Sequence, residues 1–142
     1  MKTNILLLAL CLLLFSCRKD ASDQLLWQCD NSQVLDSAAT STQIVGSWRL
    51  VQQRLGSSGE VVTTDKSVIV TFNSDSTFTV LENSSITTQG NWGLYKFSSN
   101  SWALDLTAAS PYLYGIISFC DNKVLFTDSV VDGNDNLFEK TD

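Results

Sequence analysis

Ser67-Val68-Ile69-Val70-Thr71-Phe72-Asn73-Ser74-Asp75-Ser76-Thr77-Phe78-Thr79-Val80-Leu81-Glu82 is the stretch that decides the fold. Val68, Val70 and Phe72 recur with a period of two, and so do Phe78 and Val80, alternating with Thr77 and Thr79. Successive side chains of a strand point to opposite faces, so each half of the stretch reads as a strand buried on one side. Asn73-Ser74-Asp75 between them carries turn chemistry, because short polar side chains can hydrogen-bond their own backbone. The stretch is a hairpin.

The same grammar extends in both directions. Gly46 to Arg54 places Trp48, Leu50 and Gln52 on one face, and Gly56-Ser57-Ser58-Gly59 turns the chain into a short polar strand, Glu60 to Thr64. Downstream, Thr87 to Phe97 carries Trp92 and Leu94, and Ser101 to Thr107 alternates Trp102, Leu104 and Leu106 with Ala103 and Asp105. Tyr112 to Phe119 is apolar or aromatic on both faces. Lys123 to Ser129 carries Val124 and Phe126, and Asp132-Gly133-Asn134-Asp135 is a hairpin turn leading to a last strand, Asn136 to Lys140. That is about eight or nine short strands with no helical period between them, which excludes a βαβ arrangement. Tight turns between consecutive strands favour an antiparallel meander, and closure into a barrel removes its exposed edges. The expected inward set is Trp48, Leu50, Val68, Val70, Phe72, Phe78, Val80, Trp92, Leu94, Trp102, Leu104, Leu106, Tyr114, Ile116, Val124, Phe126 and Phe138. Upstream, Leu25 to Leu35 is apolar enough to dock as a helical turn or short helix, and Ser37 to Thr42 reads as a linker.

The N-terminus has a different character. Lys2 precedes an apolar run from Ile5 to Phe15, about half the length needed to cross a bilayer as a helix. A basic start, a short apolar stretch and a small residue describe an export signal. Its end, Leu14-Phe15-Ser16-Cys17, resembles the bacterial lipobox, with a small residue before the cysteine and leucine three positions upstream. The resemblance implies cleavage before Cys17, lipidation of that cysteine and a membrane partner held through the lipid. Arg18 follows Cys17, where aspartate would signal inner-membrane retention, so an outer-membrane address is expected. The expected division is 1–16 as signal, 17–43 as lipidated tether and docking segment, and 44–142 as barrel.

Beyond the signal the chain has eight basic and all fifteen acidic residues, a net charge of −7. That is a poor match for nucleic acid, which is approached through clustered Lys and Arg. Cys29 and Cys120 are the two cysteines after Cys17, and in an oxidising compartment an even pair favours a disulfide. The alternative is two separate buried thiols. The chain has no histidine, so Ser-His-Asp and Cys-His catalysis cannot be assembled, and neither a zinc nor a haem site of ordinary composition is expected. Asp128, Asp132 and Asp135 lack the alternating spacing of a calcium loop. No enzyme activity and no cofactor are expected.

Two motifs carry a family resemblance. Ile44-Val45-Gly46-Ser47-Trp48-Arg49-Leu50 opens the first strand with Gly-x-Trp, and Gln89-Gly90-Asn91-Trp92-Gly93-Leu94 repeats it. With the terminal Leu137-Phe138-Glu139-Lys140, the pattern resembles the small lipocalin-like domains of Bacteroidetes lipoproteins over Ile44 to Lys140. The resemblance implies an up-and-down, eight-stranded barrel in which Trp48 closes one end under a basic residue of the last strand, here Lys140. The family residue is usually arginine. An eight-stranded barrel is just wide enough to be filled by side chains or to hold one small molecule. The candidate lining residues are Leu50, Val70, Phe78, Trp92, Trp102, Tyr114 and Phe126, so the expected ligand is small and apolar. A filled barrel, or one that meets a protein or glycan through its outer face, is the alternative.

Overall fold

The computed structural model describes residues 35–128 and 132–141, so Cys17 and Cys29 lie outside the described residues. Among the described residues, helix α1 (Ser37–Ile44) precedes β1 (Gly46–Arg54), β2 (Val61–Val62), β3 (Val68–Phe72), β4 (Thr77–Glu82) and β5 (Ser85–Ser98). Then come β6 (Ser101–Leu106), β7 (Ile116–Cys120), β8 (Lys123–Thr127) and β9 (Asp135–Thr141). β3 and β4 form the hairpin that the alternation requires, with Val70 opposite Val80 and Phe72 opposite Phe78. Asp75 Oδ1 holds its turn by accepting from Thr77 N at 3.0 Å and Thr77 Oγ1 at 2.7 Å. The Thr77 hydroxyl bond keeps the Asp75 carboxyl below its ordinary pKa.

All neighbouring pairs are antiparallel, and β1 pairs with β9 as well as β3, which closes the ring. The result is an eight-stranded barrel, with β2 added outside the ring on the end of β1. The long β5 serves two neighbours: Ser85 to Asn91 pairs with β4, and Trp92 to Ser98 pairs with β6. β6 meets β7 only at Ala103↔Ile116. The loop 107–115 joins the two strands and buries Tyr112 and Leu113.

The interior follows from register. Trp48, Leu50, Val68, Val70, Phe72, Phe78, Val80, Trp92, Leu104, Ile117, Phe119, Val124, Phe126 and Phe138 form one buried cluster with Ile44, Tyr112 and Leu113. Phe126 meets Phe138 edge-on at 5.7 Å, and Phe72 meets Trp92 the same way at 5.7 Å, the preferred geometry for aromatic pairs.

Two expectations are corrected. The stretch Ser37 to Thr42 is not a linker but most of α1, and Leu35 just before it packs against the barrel core. Asp36 caps this helix, its Oδ1 accepting from Ala39 N at 2.8 Å, and Thr40 and Ile44 are buried against the barrel. Tertiary packing overrides the weak helix propensity of a Ser/Thr-rich segment. The second correction concerns parity near β7. Tyr114 and Ile116 were expected inside, yet Tyr114 is 46% exposed and the inward residues are Ile117 and Phe119. Gly115 sets this shift. Its φ of +92° turns the chain where any Cβ would strike the Thr127 carbonyl oxygen, and the strand begins only at Ile116, four residues after Tyr112.

Candidate functional site

Each Gly-x-Trp motif plants an indole at one end of the barrel. Trp48 is 2% exposed and donates its Nε1 proton to Ile44 O at 2.7 Å, so its polar atom is satisfied inside an apolar setting. Its ring lies 6.3 Å from Phe119 and 5.2 Å from Lys140 Nζ, the residue opposite it in the β1–β9 ladder. An ammonium at that distance is attracted to the ring face. Gly46 makes room for this arrangement: a Cβ there would stand 3.0 Å from Lys140 Cε, and the φ of +130° disfavours any side chain. Trp92 repeats the device, with its Nε1 donating to Asn73 O at 3.2 Å.

The same end carries a cleft of about 450 Å³ between α1, the turn after β3 and the middle of β5. Val45, Trp92, Gly93 and Leu94 supply its apolar and backbone surface, and Ser41, Thr42, Ser74 and Ser76 place hydroxyls around it. The cleft is open to solvent on one side. Its volume lies within the range of small-molecule sites, which combine an apolar lining with a few polar groups.

The far end is closed differently. Tyr112 comes down from the loop after β6 and donates to Glu82 Oε1 at 2.8 Å. Burial, followed by the bond to the Glu82 carboxylate and its charge, pushes the phenol pKa up to about 12. Nearby, Gln53 Nε2 donates to Asn136 Oδ1 at 2.6 Å, and Arg54 pairs with the fully buried Asp135. Asp128 is raised above the ordinary carboxylate range by burial and by the charge of Asp135. Among the described residues, no group of three His, Cys, Asp or Glu side chains is placed to hold a metal ion.

The candidate lining residues therefore divide. Leu50, Val70, Phe78 and Phe126 all sit in the interior cluster at 4% exposure or less, packed against their neighbours. Trp92 belongs to that cluster and also faces the cleft. Trp102 is half-buried and turned to the N-terminal side of α1, donating Nε1 to Leu35 O at 3.1 Å. Tyr114 is on the surface, so its assignment to the lining is corrected. Sequence reasoning missed Val45, Ser41 and Thr42, because they belong to or follow a helix that the Ser/Thr-rich segment did not announce. Cys120 ends β7 and is half-buried.

No family model, curated protein or solved structure matches the chain.

Proposed function

We propose that this chain is an exported lipoprotein, anchored to the outer membrane through Cys17, whose lipocalin-like barrel binds a small apolar molecule in the cleft beside α1. The observation that carries the reading is the cleft of about 450 Å³, with Trp92, Leu94 and Val45 on its surface and four hydroxyls around it. That composition suits an acyl chain or flat aromatic body with one polar end. Binding rather than catalysis is the proposed role. The sequence holds no histidine, and the acids with shifted pKa values, Asp75 and Asp128, lie outside the cleft lining. The lipobox-like Leu14-Phe15-Ser16-Cys17 supports the anchor. A bridge between Cys29 and Cys120 belongs to the same reading, since export exposes both thiols to an oxidising compartment.

A second reading has its own support. Trp48, Phe72, Phe78, Phe126 and Phe138 are each at most 2% exposed, as expected of a barrel filled by its own side chains. Such a barrel would act as a scaffold or meet a partner through its outside. One experiment separates the two readings. A solvatochromic aminonaphthalene dye should bind the native protein with 1:1 stoichiometry and quench tryptophan emission, and Leu94→Arg should weaken it at least tenfold while leaving the melting temperature within a few degrees. Absence of saturable binding, or equal binding by Leu94→Arg, would favour the filled scaffold.

A further inference from the structure

The β5–β6 hairpin carries apolar surface that the barrel does not bury. The ladder with β4 ends at Asn91, and Trp92 to Ser98 continue alongside β6 for about 20 Å at ordinary strand rise. Tyr95 is 47% exposed and Phe97 45%, and Lys96 between them is exposed as well. The register shifts between Lys96 and Ser98, so the ladder skips Phe97, and a bulge of this kind re-aims a side chain. Neither ring holds the turn. Ser98 Oγ does that, meeting Ser101 Oγ at 2.6 Å and accepting from Asn100 N at 3.4 Å. The described chain begins at the same place: the Leu35 carbonyl accepts from Trp102, which stands opposite Lys96. The two ends of the barrel also differ in charge. At the far end Glu60, Asp65, Glu82, Asp128, Asp132 and Asp135 outnumber Arg54 and Lys66. At the hairpin end Arg49, Lys96, Lys123 and Lys140 nearly balance Asp36, Asp75, Asp105, Asp121 and Glu139.

We infer that this hairpin is a membrane-resting surface: Tyr95 and Phe97 lie in the headgroup layer of the phospholipid bilayer that holds the Cys17 anchor, and the barrel stands with its α1 end toward that bilayer. The inference rests on the anchoring part of the proposed function and not on the cleft ligand. Cys17 is eighteen residues before Leu35, at most about 60 Å of chain. Whatever path that chain takes, it reaches the barrel beside Trp102, so the anchor keeps the hairpin end nearest the bilayer. Aromatic side chains settle at the level of the headgroups, where Tyr95 keeps its hydroxyl wet and its ring dry. Lys96 lays its stem beside them and leaves its ammonium among the phosphates. A barrel turned over would press its acidic end against anionic lipid instead. Two rings alone hold a bilayer weakly. The anchor supplies the local concentration, and the hairpin sets the orientation. Gly93 and Leu94 of the cleft directly precede Tyr95, which puts the cleft on the bilayer side of the barrel.

The test uses the lipidated full mature chain on vesicles of phosphatidylethanolamine with a minority of phosphatidylglycerol, their acyl chains brominated near the headgroup. Phe97→Trp puts a fluorescent reporter on the hairpin. Ile86→Trp puts one at the opposite end of β5, where Ile86 is 62% exposed. Wild-type protein on the same vesicles gives the emission of the native tryptophans, which is subtracted. The emission added by Phe97→Trp should fall at least twofold on brominated lipid, and that added by Ile86→Trp should stay unchanged. Should Phe97→Trp melt well below wild type, Ser99→Trp in the same turn gives the reading. Protein that floats with the vesicles but shows no quenching at either position overturns the resting surface and leaves the anchor standing. Protein that does not float has no anchor, and the inference falls with it. Quenching at Ile86→Trp reverses the orientation and overturns it as well. A Phe97→Trp emission unquenched on vesicles but shifted by cell-envelope polysaccharide would make the hairpin a glycan surface instead.

Discussion

Gln52 and Gln53 are neighbours with opposite expected responses to the same substitution. Gln52 is 8% exposed on the outer face, and its Oε1 is buried with no hydrogen-bond partner among the described residues. A buried carbonyl left unpaired costs about 1–3 kcal/mol. Methionine has a similar length, no acceptor of comparable demand and enough flexibility to fill an irregular space. Gln52→Met should therefore remove the penalty, less a repacking cost of up to about 1.5 kcal/mol, and stabilise the domain by about 1 kcal/mol. Gln53→Met does the reverse. It deletes the 2.6 Å bond to Asn136 Oδ1 and leaves that oxygen stranded on a residue 1% exposed, a loss of about 1–3 kcal/mol. Urea denaturation followed by tryptophan fluorescence reads both, as a midpoint rise of roughly 0.5 M for the first and a fall for the second at unchanged slope. Destabilisation by Gln52→Met of about 1 kcal/mol or more would instead mean that the oxygen is satisfied.

Three further outcomes are expected. Cys17→Ser should leave the precursor uncleaved and free of acyl chains, and normal processing with unchanged membrane fractionation would contradict the lipoprotein reading. Tyr112 holds its proton up to about pH 12 in the folded protein against about 10 when unfolded, so its contribution is complete below pH 10 and fades between pH 10 and 12. Across that window the wild type should lose about 2–3 kcal/mol more than Tyr112→Phe, measured by denaturation at each pH, and parallel losses would show that Tyr112 is not coupled to folding. Lys140→Met keeps the stem over Trp48 and removes the charge, so it should cost about 0.5–1 kcal/mol, whereas a cost of several kcal/mol would assign Lys140 another role.

How much of this was legible in the sequence differs from element to element. Strands declared themselves wherever one face is dry and the other wet: Val68, Val70 and Phe72 alternate cleanly, and β3 follows within one residue of the expected run. The pairing of Trp48 with Lys140 came from the family resemblance and not from periodicity. Parity failed before β7, since Tyr112 to Phe119 is apolar on both faces and alternation carries no phase there. Only the backbone geometry at Gly115 sets which residues turn inward. α1 was illegible for a different reason. Its helix is stabilised by the Asp36 cap and by docking of Ile44, and a Ser/Thr-rich segment has the same composition as a linker. The cleft inherits that blindness, because α1 and Val45 build one side of it.

The proposed ligand site is the cleft beside α1 and not the barrel interior. Methyl and indole NMR of the mature protein titrated with dodecanoate tests it most directly. Saturable shifts are expected at Val45, Leu94 and the Trp92 indole, with Val70 and Leu50 unmoved. Shifts centred on Val70 and Leu50, or none at any of these positions, would contradict it.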